Sequence, residues 1–124
     1  MTDEANGQRV LVVEDELLLA MLLQAILEDA GYTVVGPIGR LDQALQAARQ
    51  EDFSLALLDV NLNGEKVFPV AEVLAERKVP FAFLTGYDRE TLPPRHTAAA
   101  TLYKPISIAL LLGTLAALSR QRPA

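Results

Sequence analysis

Arg9-Val10-Leu11-Val12-Val13-Glu14-Asp15-Glu16 is the stretch that decides the fold. It contains an unbroken apolar run, Val10 to Val13, which is typical of a strand buried on both faces of a parallel sheet. Three acidic residues follow at once, so this strand would carry carboxylates at its C-terminal end. Helix-forming residues come next, from Leu17 to Ala30, and Gly31 is a suitable residue to end that helix. The stretch therefore predicts a strand, an acidic strand end and a helix.

The same pattern recurs along the chain. Gly36-Pro37 is interpreted as the turn that closes the second strand, and residues 61–64 as a loop. The segment from Tyr87 to Ala100 contains Pro93-Pro94, so any helix there is expected to be short. Further strands are predicted at Tyr32 to Val35, Leu55 to Leu58, Phe81 to Leu84 and Thr101 to Tyr103, and further helices at Leu41 to Gln50, Val67 to Arg77 and Ser107 to Ser119. Strands that alternate with helices predict an α/β fold, a three-layer sandwich around a doubly wound five-stranded parallel sheet.

Composition excludes several classes of protein. The chain has 124 residues, of which 51% are hydrophobic and 22% charged, and this fits one globular domain. It has no cysteine and one histidine, His96, which excludes a disulfide framework, a thiolate zinc site and a histidine-rich metal centre. A net charge of −5 argues against nucleic acid as a partner. The sequence shows no secretory signal and no run of the ~20 apolar residues that span a bilayer, so a cytoplasmic location is expected.

We divide the chain at its first and last predicted elements. Residues 1–8 are expected to form a flexible N-terminal tail, residues 9–120 the domain itself, and residues 121–124 a C-terminal tail. No residues remain after the last helix for an output domain. The chain is therefore expected to stand alone and to act through contacts with other proteins, and the alternative is a domain excised from a larger protein.

Polar residues follow four of the predicted strands. Glu14 and Asp15 follow the first, Asp59 the third, Thr85 the fourth and Lys104 the fifth. Because parallel sheets gather their sites at the carboxyl ends of the strands, these side chains are expected to meet at one edge. Three carboxylates there would repel one another by about 4 kcal/mol for each close pair at an effective dielectric of 20. A cation is therefore expected, and oxygen ligands without histidine or cysteine favour Mg²⁺, with Mn²⁺ as the alternative.

Lys104 and Thr85 complete a set of groups for phosphoryl chemistry. The lysine supplies a positive charge for phosphate oxygens and the threonine a hydroxyl donor. Forming an aspartyl phosphate needs these two groups together with a carboxylate and a divalent ion. Plainer interpretations exist for single residues: Asp15 as a helix cap, Asp59 as a turn residue and Lys104 as a solvated lysine. The joint arrangement favours the chemical interpretation, because each group follows its own strand.

The strand ends also carry a family resemblance. Four strings, Val13-Glu14-Asp15-Glu16, Leu57-Leu58-Asp59-Val60-Asn61, Phe83-Leu84-Thr85-Gly86-Tyr87 and Tyr103-Lys104-Pro105, resemble in that order the receiver domains of two-component response regulators. The resemblance covers about Arg9 to Arg120. It implies the flavodoxin-like sheet order 2-1-3-4-5, for which the chemotaxis receiver is a reference example.

The resemblance implies a role for each acidic position. Asp59 would accept the phosphoryl group in a Mg²⁺-dependent reaction. Asp15 and Asp59 would bind the ion directly, Glu14 would act through water, and Asn61 would offer its backbone carbonyl. The domain would take part in its own phosphorylation but would be a signalling domain rather than a conventional enzyme.

The resemblance also implies how the signal is read and passed on. Thr85 would be the switch hydroxyl and Lys104 the phosphate-binding lysine. The Lys104-Pro105 bond is expected to be cis, which would aim the lysine inward. The phosphodonor would be a sensor histidine kinase or a histidine phosphotransfer protein, and the output a contact with a downstream protein. Seven apolar residues, Leu17 to Leu23, wrap right round the first helix, so some are expected to face a partner. A homodimer is left open.

One position departs from the common receiver pattern. Many receivers carry an aromatic switch residue three positions before the lysine, where this chain has Thr101. The Phe-x-Thr-Gly-Tyr string at residues 83–87 instead resembles a receiver subgroup that lacks that aromatic residue. We therefore hypothesise that the signal runs from Thr85 through Gly86 and Tyr87 into residues 88–100.

Other functions fit the sequence less well. A flavodoxin-like cofactor binder needs a glycine-rich phosphate loop where Glu14-Asp15-Glu16 would repel the phosphate. A metal-dependent nuclease and an aspartyl phosphatase would each need a second acid where Asn61 stands. His96 follows Pro93-Pro94-Arg95 and is not expected to be catalytic. The main rival is a receiver-like module that binds partners without phosphorylation. A missing acid or lysine would have indicated such a module, and none is missing.

Overall fold

A five-stranded parallel sheet carries the fold in the computed structural model, which describes residues 5–86, 92–96 and 99–121. The strands of this sheet pair in the order β2-β1-β3-β4-β5, and every pair is parallel. Their bounds are β1 (Arg9–Val13), β2 (Thr33–Ile38), β3 (Leu55–Asp59), β4 (Phe81–Thr85) and β5 (Ala100–Tyr103). The helices are α1 (Leu17–Asp29), α2 (Leu41–Gln50), α3 (Phe68–Glu76) and α4 (Ile108–Arg120). The predicted fold class and sheet order are confirmed.

Two hydrophobic layers flank the sheet, because successive residues of a strand point to opposite faces. Leu11 and Val13 of β1 face one layer, which is built with α2 and α3. Val10 and Val12 face the other layer, which is built with α1 and α4. These four side chains are fully buried, and burial of each one contributes roughly 1.5–3 kcal/mol. The predicted three-layer sandwich follows from this alternation.

Strand β2 continues through the predicted turn. Gly36-Pro37 was expected to close this strand, but the strand runs on to Ile38. Gly36 has a φ of +101°, and a Cβ at this position would lie 2.9 Å from the carbonyl oxygen of Val12. The pairing with β1 shifts register here, as at a bulge in an edge strand, where a proline without an N–H is tolerated. The Gly36-Pro37 bond is cis, and so is the Lys104-Pro105 bond, as the resemblance implies.

Residues 61–66 form a small hairpin where a loop was expected. Asn61–Leu62 pairs antiparallel with Glu65–Lys66, and we call these six residues the Asn-Gly hairpin. Its two connecting residues, Asn63 and Gly64, have φ values of +53° and +91°. Positive φ at both positions is the pattern of a two-residue type I′ turn, for which Asn-Gly is a preferred sequence. Leu62 is buried and joins the hairpin to the hydrophobic layer of α2 and α3.

The connection between β4 and β5 is described only in part. Pro94–His96 forms one turn of 3₁₀-helix, in agreement with the expectation of a short helix. Tyr87 and the rest of residues 87–91, together with residues 97–98, lie outside the described part of the chain.

The chain ends are also described in part. Ala5 is buried, and the N–H of Gly7 donates to the carbonyl oxygen of Gly31 at 2.9 Å, so residues 5–8 contact the domain. Residues 1–4 and 122–124 lie outside the description, and the division into tails and domain stays a prediction. Among the helices described, none is long and apolar enough to cross a membrane.

Candidate functional site

The carboxyl ends of β1, β3 and β5 bring three acids and a lysine together. The parallel register sets Val13 beside Leu58, so the residues that follow β1 lie next to Asp59 at the end of β3. One oxygen from each of Glu14, Asp15 and Asp59 lies within 4.8 Å of the others. We call these three side chains the carboxylate cluster, and the structure confirms the predicted convergence. Glu14 and Asp59 are buried, and Asp15 is half-buried.

A backbone amide binds one oxygen of each carboxylate in the cluster. Two of these bonds are local, since the donor lies two residues after the acid, whereas the third joins Asn63 to Asp15, 48 residues apart in the sequence. The N–H of Glu16 donates to Glu14 Oε2 at 3.0 Å, that of Asn61 to Asp59 Oδ1 at 3.4 Å, and that of Asn63 to Asp15 Oδ2 at 3.0 Å. Asp15 does not cap α1, because the N-cap residue is Glu16 and no side chain accepts a capping bond there. The helix-cap interpretation of Asp15 is therefore wrong.

Lys104 faces the carboxylate cluster. Its Nζ lies 3.4 Å from Glu14 Oε1 and 3.4 Å from Asp59 Oδ2, and its side chain is 23% exposed. Burial opposes the charge of Lys104, but the negative charges of Asp59 and Glu14 outweigh it and raise the pKa of the lysine. Lys104 is therefore a fixed positive charge at the cluster and not a solvated surface lysine.

The cluster perturbs the ionisation of Asp59. Burial raises the pKa of Asp59 from 3.8 to about 8, with further contributions from the hydrogen bond and the charge of Glu14. The positive charge of Lys104 lowers this pKa but does not outweigh the other effects. Without a cation, burial and the neighbouring carboxylate therefore favour a proton on Asp59. A group that binds the ionised cluster must displace that proton.

Asn61, the fourth predicted metal ligand, lies at the start of the Asn-Gly hairpin. Its N–H contacts Asp59, and its side-chain oxygen accepts from the N–H of Gly64 at 2.8 Å. The hydrogen bonds of Asn61 therefore join Asp59 to the turn of the hairpin. Its side chain is engaged within the hairpin, so any role toward an ion falls to the backbone carbonyl, as the resemblance implies.

Thr85 ends β4 next to Lys104. The threonine is buried, and its carbonyl oxygen accepts from the backbone N–H of Lys104 at 2.8 Å. Thr101, which stands where many receivers have an aromatic residue, is half-buried, and its hydroxyl donates to the carbonyl oxygen of Ala99 at 3.3 Å. Thr85 and Lys104, which the resemblance implies as the residues that read the phosphate, are thus joined by a backbone hydrogen bond.

His96 belongs to an aromatic cluster and not to the carboxylate cluster. Its ring stacks on Phe68 with centroids 5.6 Å apart and meets the ring of Phe83 edge-on at 5.7 Å. The imidazole is buried, so it anchors the 3₁₀ turn against α3 and β4. No sequence pattern predicted this contact, because the three rings come from separate elements.

The first turns of α1 expose a group of large apolar side chains. Leu17 is 71% exposed and Leu18 is 79% exposed, and the outward face continues through Met21 and Leu22. We call these four residues the α1 face. A cavity of about 290 Å³ adjoins it, lined by Glu16, Leu19 and Leu22 from one side and residues 104–106 from the other. The predicted outward-facing apolar residues of this helix are therefore found, and one of them, Leu22, lines the same cavity as Lys104.

Comparison with known proteins gives one family. Residues 10–116 match the family model of the response regulator receiver domain. The transcriptional regulatory protein PdtaR of Mycobacterium tuberculosis is 33% identical over 114 residues, which cover 89% of this chain and 56% of PdtaR. The chain thus spans about half the length of that relative.

Solved structures also match the fold of this chain. The solution structure of SdrG from Sphingomonas melonis Fr1 is 39% identical, with a TM-score of 0.81 over 95% of this chain and 98% of SdrG. The receiver domain of the sensor histidine kinase PA1611 from Pseudomonas aeruginosa PAO1 has a magnesium ion coordinated in its active site cleft. It matches with a TM-score of 0.77 over 92% of this chain and 98% of that domain, at 24% identity, which shows a shared fold.

Proposed function

This chain belongs to the response regulator receiver domain family, and from that premise we propose that it signals by accepting a phosphoryl group on Asp59. The observation that carries the proposal is the convergence of Asp59, two further carboxylates and Lys104 at one edge of the sheet. The family is one of signalling domains and not of conventional enzymes. Catalysis of the transfer by the domain itself is part of the proposal.

Magnesium fits the carboxylate cluster. Glu14, Asp15 and Asp59 supply only oxygen ligands, which suits a hard divalent cation. Glu14 Oε1 is buried, and its contact among the described residues is the ion pair with Lys104 Nζ at 3.4 Å and not a hydrogen bond, so an ion or its water would give it a further partner. In this proposal Asp15 and Asp59 bind the ion directly, Glu14 acts through water and Asn61 uses its backbone carbonyl; Mn²⁺ stays the alternative. The bound ion would neutralise the cluster and permit a phosphate to approach.

Asp59 is the nucleophile in the proposed reaction. One of its carboxylate oxygens forms a bond to phosphorus while the bond from phosphorus to the donor's leaving atom breaks, and the leaving group keeps that electron pair. The product is an acyl phosphate. Asp59 attacks only when it is ionised, and its pKa of about 8 in the cation-free cluster means that the proton must leave first. Lys104 would then exchange a carboxylate contact for a phosphate oxygen.

Thr85 and Lys104 would read the phosphorylated state. A hydrogen bond from the Thr85 hydroxyl to the phosphoryl group is charge-assisted and would contribute roughly 1.5–3 kcal/mol. Lys104 could contribute a comparable amount, and shifting a receiver from 1:99 to 99:1 active requires roughly 5.5 kcal/mol. Support for the proposed path from Thr85 through Gly86 and Tyr87 into residues 88–100 comes from His96, which ties the 3₁₀ turn to Phe83, two residues before Thr85.

The α1 face supports the proposed phosphodonor. A donor protein must bring its phosphohistidine to Asp59, so its docking surface must border the carboxyl edge of the sheet. The α1 face borders that edge, because Glu16 and Lys104 line the same cavity as Leu22. We therefore propose that a sensor histidine kinase or a histidine phosphotransfer protein packs apolar side chains on Leu17, Leu18 and Met21. A downstream protein would read the result.

Several expectations stay predictions. They are the absence of nucleic acid as a partner, a homodimer, and a cytoplasmic location. The rival function, a receiver-like module that works without phosphorylation, is not favoured, because Asp59 and Lys104 are both present and lie 3.4 Å apart.

Mass spectrometry tests the proposal. The full chain is incubated with MgCl₂ and acetyl phosphate, and a gain of one phosphoryl group per chain is expected. The same gain should vanish in EDTA and in Asp59→Asn, whose amide cannot attack phosphorus. Asp52→Asn is the matched control, since Asp52 is exposed and lies outside the carboxylate cluster. An Asp59→Asn protein that still gains the group would overturn the assignment.

A further inference from the structure

The Asn-Gly hairpin contacts the carboxylate cluster through the backbone amide of Asn63. Each carboxylate already gives one oxygen to a backbone amide, and the amide of Asn63 serves Asp15. We propose that these amides turn the cluster into a set of single-oxygen ligands, and that the Asn63 amide thereby selects Mg²⁺ against Ca²⁺. Asn63 is in this sense a positioning residue. The inference rests on the proposed metal site.

Asp15 is held from two sides. On one side, the Asn63 N–H donates to Asp15 Oδ2 at 3.0 Å. On the other side, Gly39 packs so closely that a Cβ there would lie 3.1 Å from Asp15 Cα and 3.6 Å from Asp15 Cβ. The backbone of Asp15 therefore lies against that of Gly39, where a side chain would be crowded. The orientation of its carboxylate depends on the hairpin.

The hairpin is well suited to hold an amide in place. Its type I′ turn fixes Asn63 at a φ of +53°, and the N–H of Gly64 is tied to Asn61 Oδ1 at 2.8 Å. The N–H of Val67 donates to the carbonyl oxygen of Val60 at 2.9 Å and closes the base of the hairpin. Leu62 and Val67 are buried. The Asn63 amide is thus a preorganised donor and not part of an irregular loop.

The chemistry of the two cations explains the selection. Ca²⁺ takes six to eight oxygens and often binds both oxygens of a carboxylate. Mg²⁺ takes six ligands in octahedral geometry, keeps several waters and needs one or two carboxylates. An Asp15 whose Oδ2 is held by an amide cannot chelate through both oxygens unless that hydrogen bond breaks. The Asn63 bond therefore opposes Ca²⁺ and is compatible with Mg²⁺.

Two substitutions at one position test this inference. Asn63→Val removes the turn preference, because a β-branched residue fits positive φ poorly, and so displaces the amide. Asn63→Gly keeps both the left-handed backbone and the N–H and is the matched control. Calorimetric titration of the full chain with MgCl₂ or CaCl₂ alone, at one fixed pH and without a phosphodonor, gives both dissociation constants.

The expected result is a change in selectivity. In Asn63→Val the Mg²⁺ dissociation constant should rise about tenfold, as for other residues that orient metal ligands, while that for Ca²⁺ changes by less than about threefold. In Asn63→Gly both constants should stay within about twofold of the wild type. Equal losses for both cations in Asn63→Val would overturn the inference, and so would unchanged affinities. If the wild type itself binds no Mg²⁺, the proposed metal site fails instead.

A second measurement applies if Asn63→Val does not fold. Amide hydrogen exchange of the wild-type chain reports the Asn63 bond directly. Protection of the Asn63 amide should persist at saturating MgCl₂ and fall at saturating CaCl₂. Equal protection with both cations contradicts the inference.

Discussion

Replacing Asp59 with asparagine should make the metal-free protein more stable at alkaline pH and leave its stability unchanged at acid pH. The ordinary pKa of an aspartate side chain is 3.8, and that of Asp59 in the folded protein is about 8. Between these values the folded state holds one proton more than the unfolded state, so the free energy of unfolding falls as the pH rises. The fall stops above about pH 8, where both states are ionised.

The size of this change in the free energy of unfolding follows from the number of pH units over which the folded state holds the extra proton. One pH unit corresponds to about 1.4 kcal/mol for one proton, so the wild type should lose at most about 4 kcal/mol relative to Asp59→Asn between pH 5 and pH 8. This is an upper bound, because close to pH 8 only part of the folded population has lost the Asp59 proton. Near pH 5 the two proteins should be equally stable, since a protonated carboxyl and an amide have similar shapes.

Urea denaturation followed by far-UV circular dichroism measures this difference. Both proteins are unfolded in EDTA at several pH values from 5 to 9, and Asp52→Asn is the control with an exposed carboxylate. Parallel curves for the wild type and Asp59→Asn across this range would refute the account of a buried, protonated Asp59. Saturating MgCl₂ should flatten the curve of the wild type, because the cation takes the place of the proton.

Three further substitutions and one probe test other parts of the structure. Lys104→Met should raise the pKa of Asp59 further above about 8, because the charge of Lys104 lowers it; ¹³C NMR titration of the Asp59 carboxyl carbon in EDTA would show this, and an unchanged pKa contradicts it. Gly36→Ala should lower the free energy of unfolding by roughly 1–3 kcal/mol, since its Cβ would meet backbone atoms at 2.9 Å. Gly113 in α4 has open space around it, so Gly113→Ala should raise the free energy of unfolding by about 0.5–1 kcal/mol. The same urea denaturation assay measures both glycine variants, and a Gly36→Ala protein more stable than Gly113→Ala would contradict the packing described. Beryllofluoride should change amide exchange within residues 87–103, and changes confined to α1 would argue against the proposed signal path.

The strands and the carboxylate cluster were predictable because their signals are local. An apolar run such as Val10 to Val13 marks a buried strand, and the residue after each run marks its carboxyl end. Parallel pairing then brings Glu14, Asp59 and Lys104 together without any knowledge of side-chain contacts. The order of the strands came only from the family resemblance, since strand periodicity does not specify which strands are neighbours.

The errors lie where backbone geometry overrides local preference. Gly36-Pro37 is a strong turn signal, yet the edge position of β2 lets the strand continue around it. Asn63-Gly64 carried the signal of a hairpin, but only two residues pair on each side, so no strand pattern supported it. Asn63 and Asp15 lie 48 residues apart in the sequence, and the donor of their hydrogen bond is a backbone N–H. Because the residue type does not show what a backbone N–H will bind, this contact could not be predicted from the sequence. For the same reason the aromatic partners of His96 could not be read from the sequence.

The interruption in β2 has a consequence for solubility. β2 lies at the edge of the sheet, and an edge strand exposes backbone groups that another chain could use to extend the sheet. Pro37 offers no N–H to such a chain, and the positive φ of Gly36 bends the backbone away from a flat ladder. Only Thr33 to Val35 pair with β1 in an unbroken register. The bulge that lets β2 pass Val12 therefore also protects this edge against aggregation by strand addition.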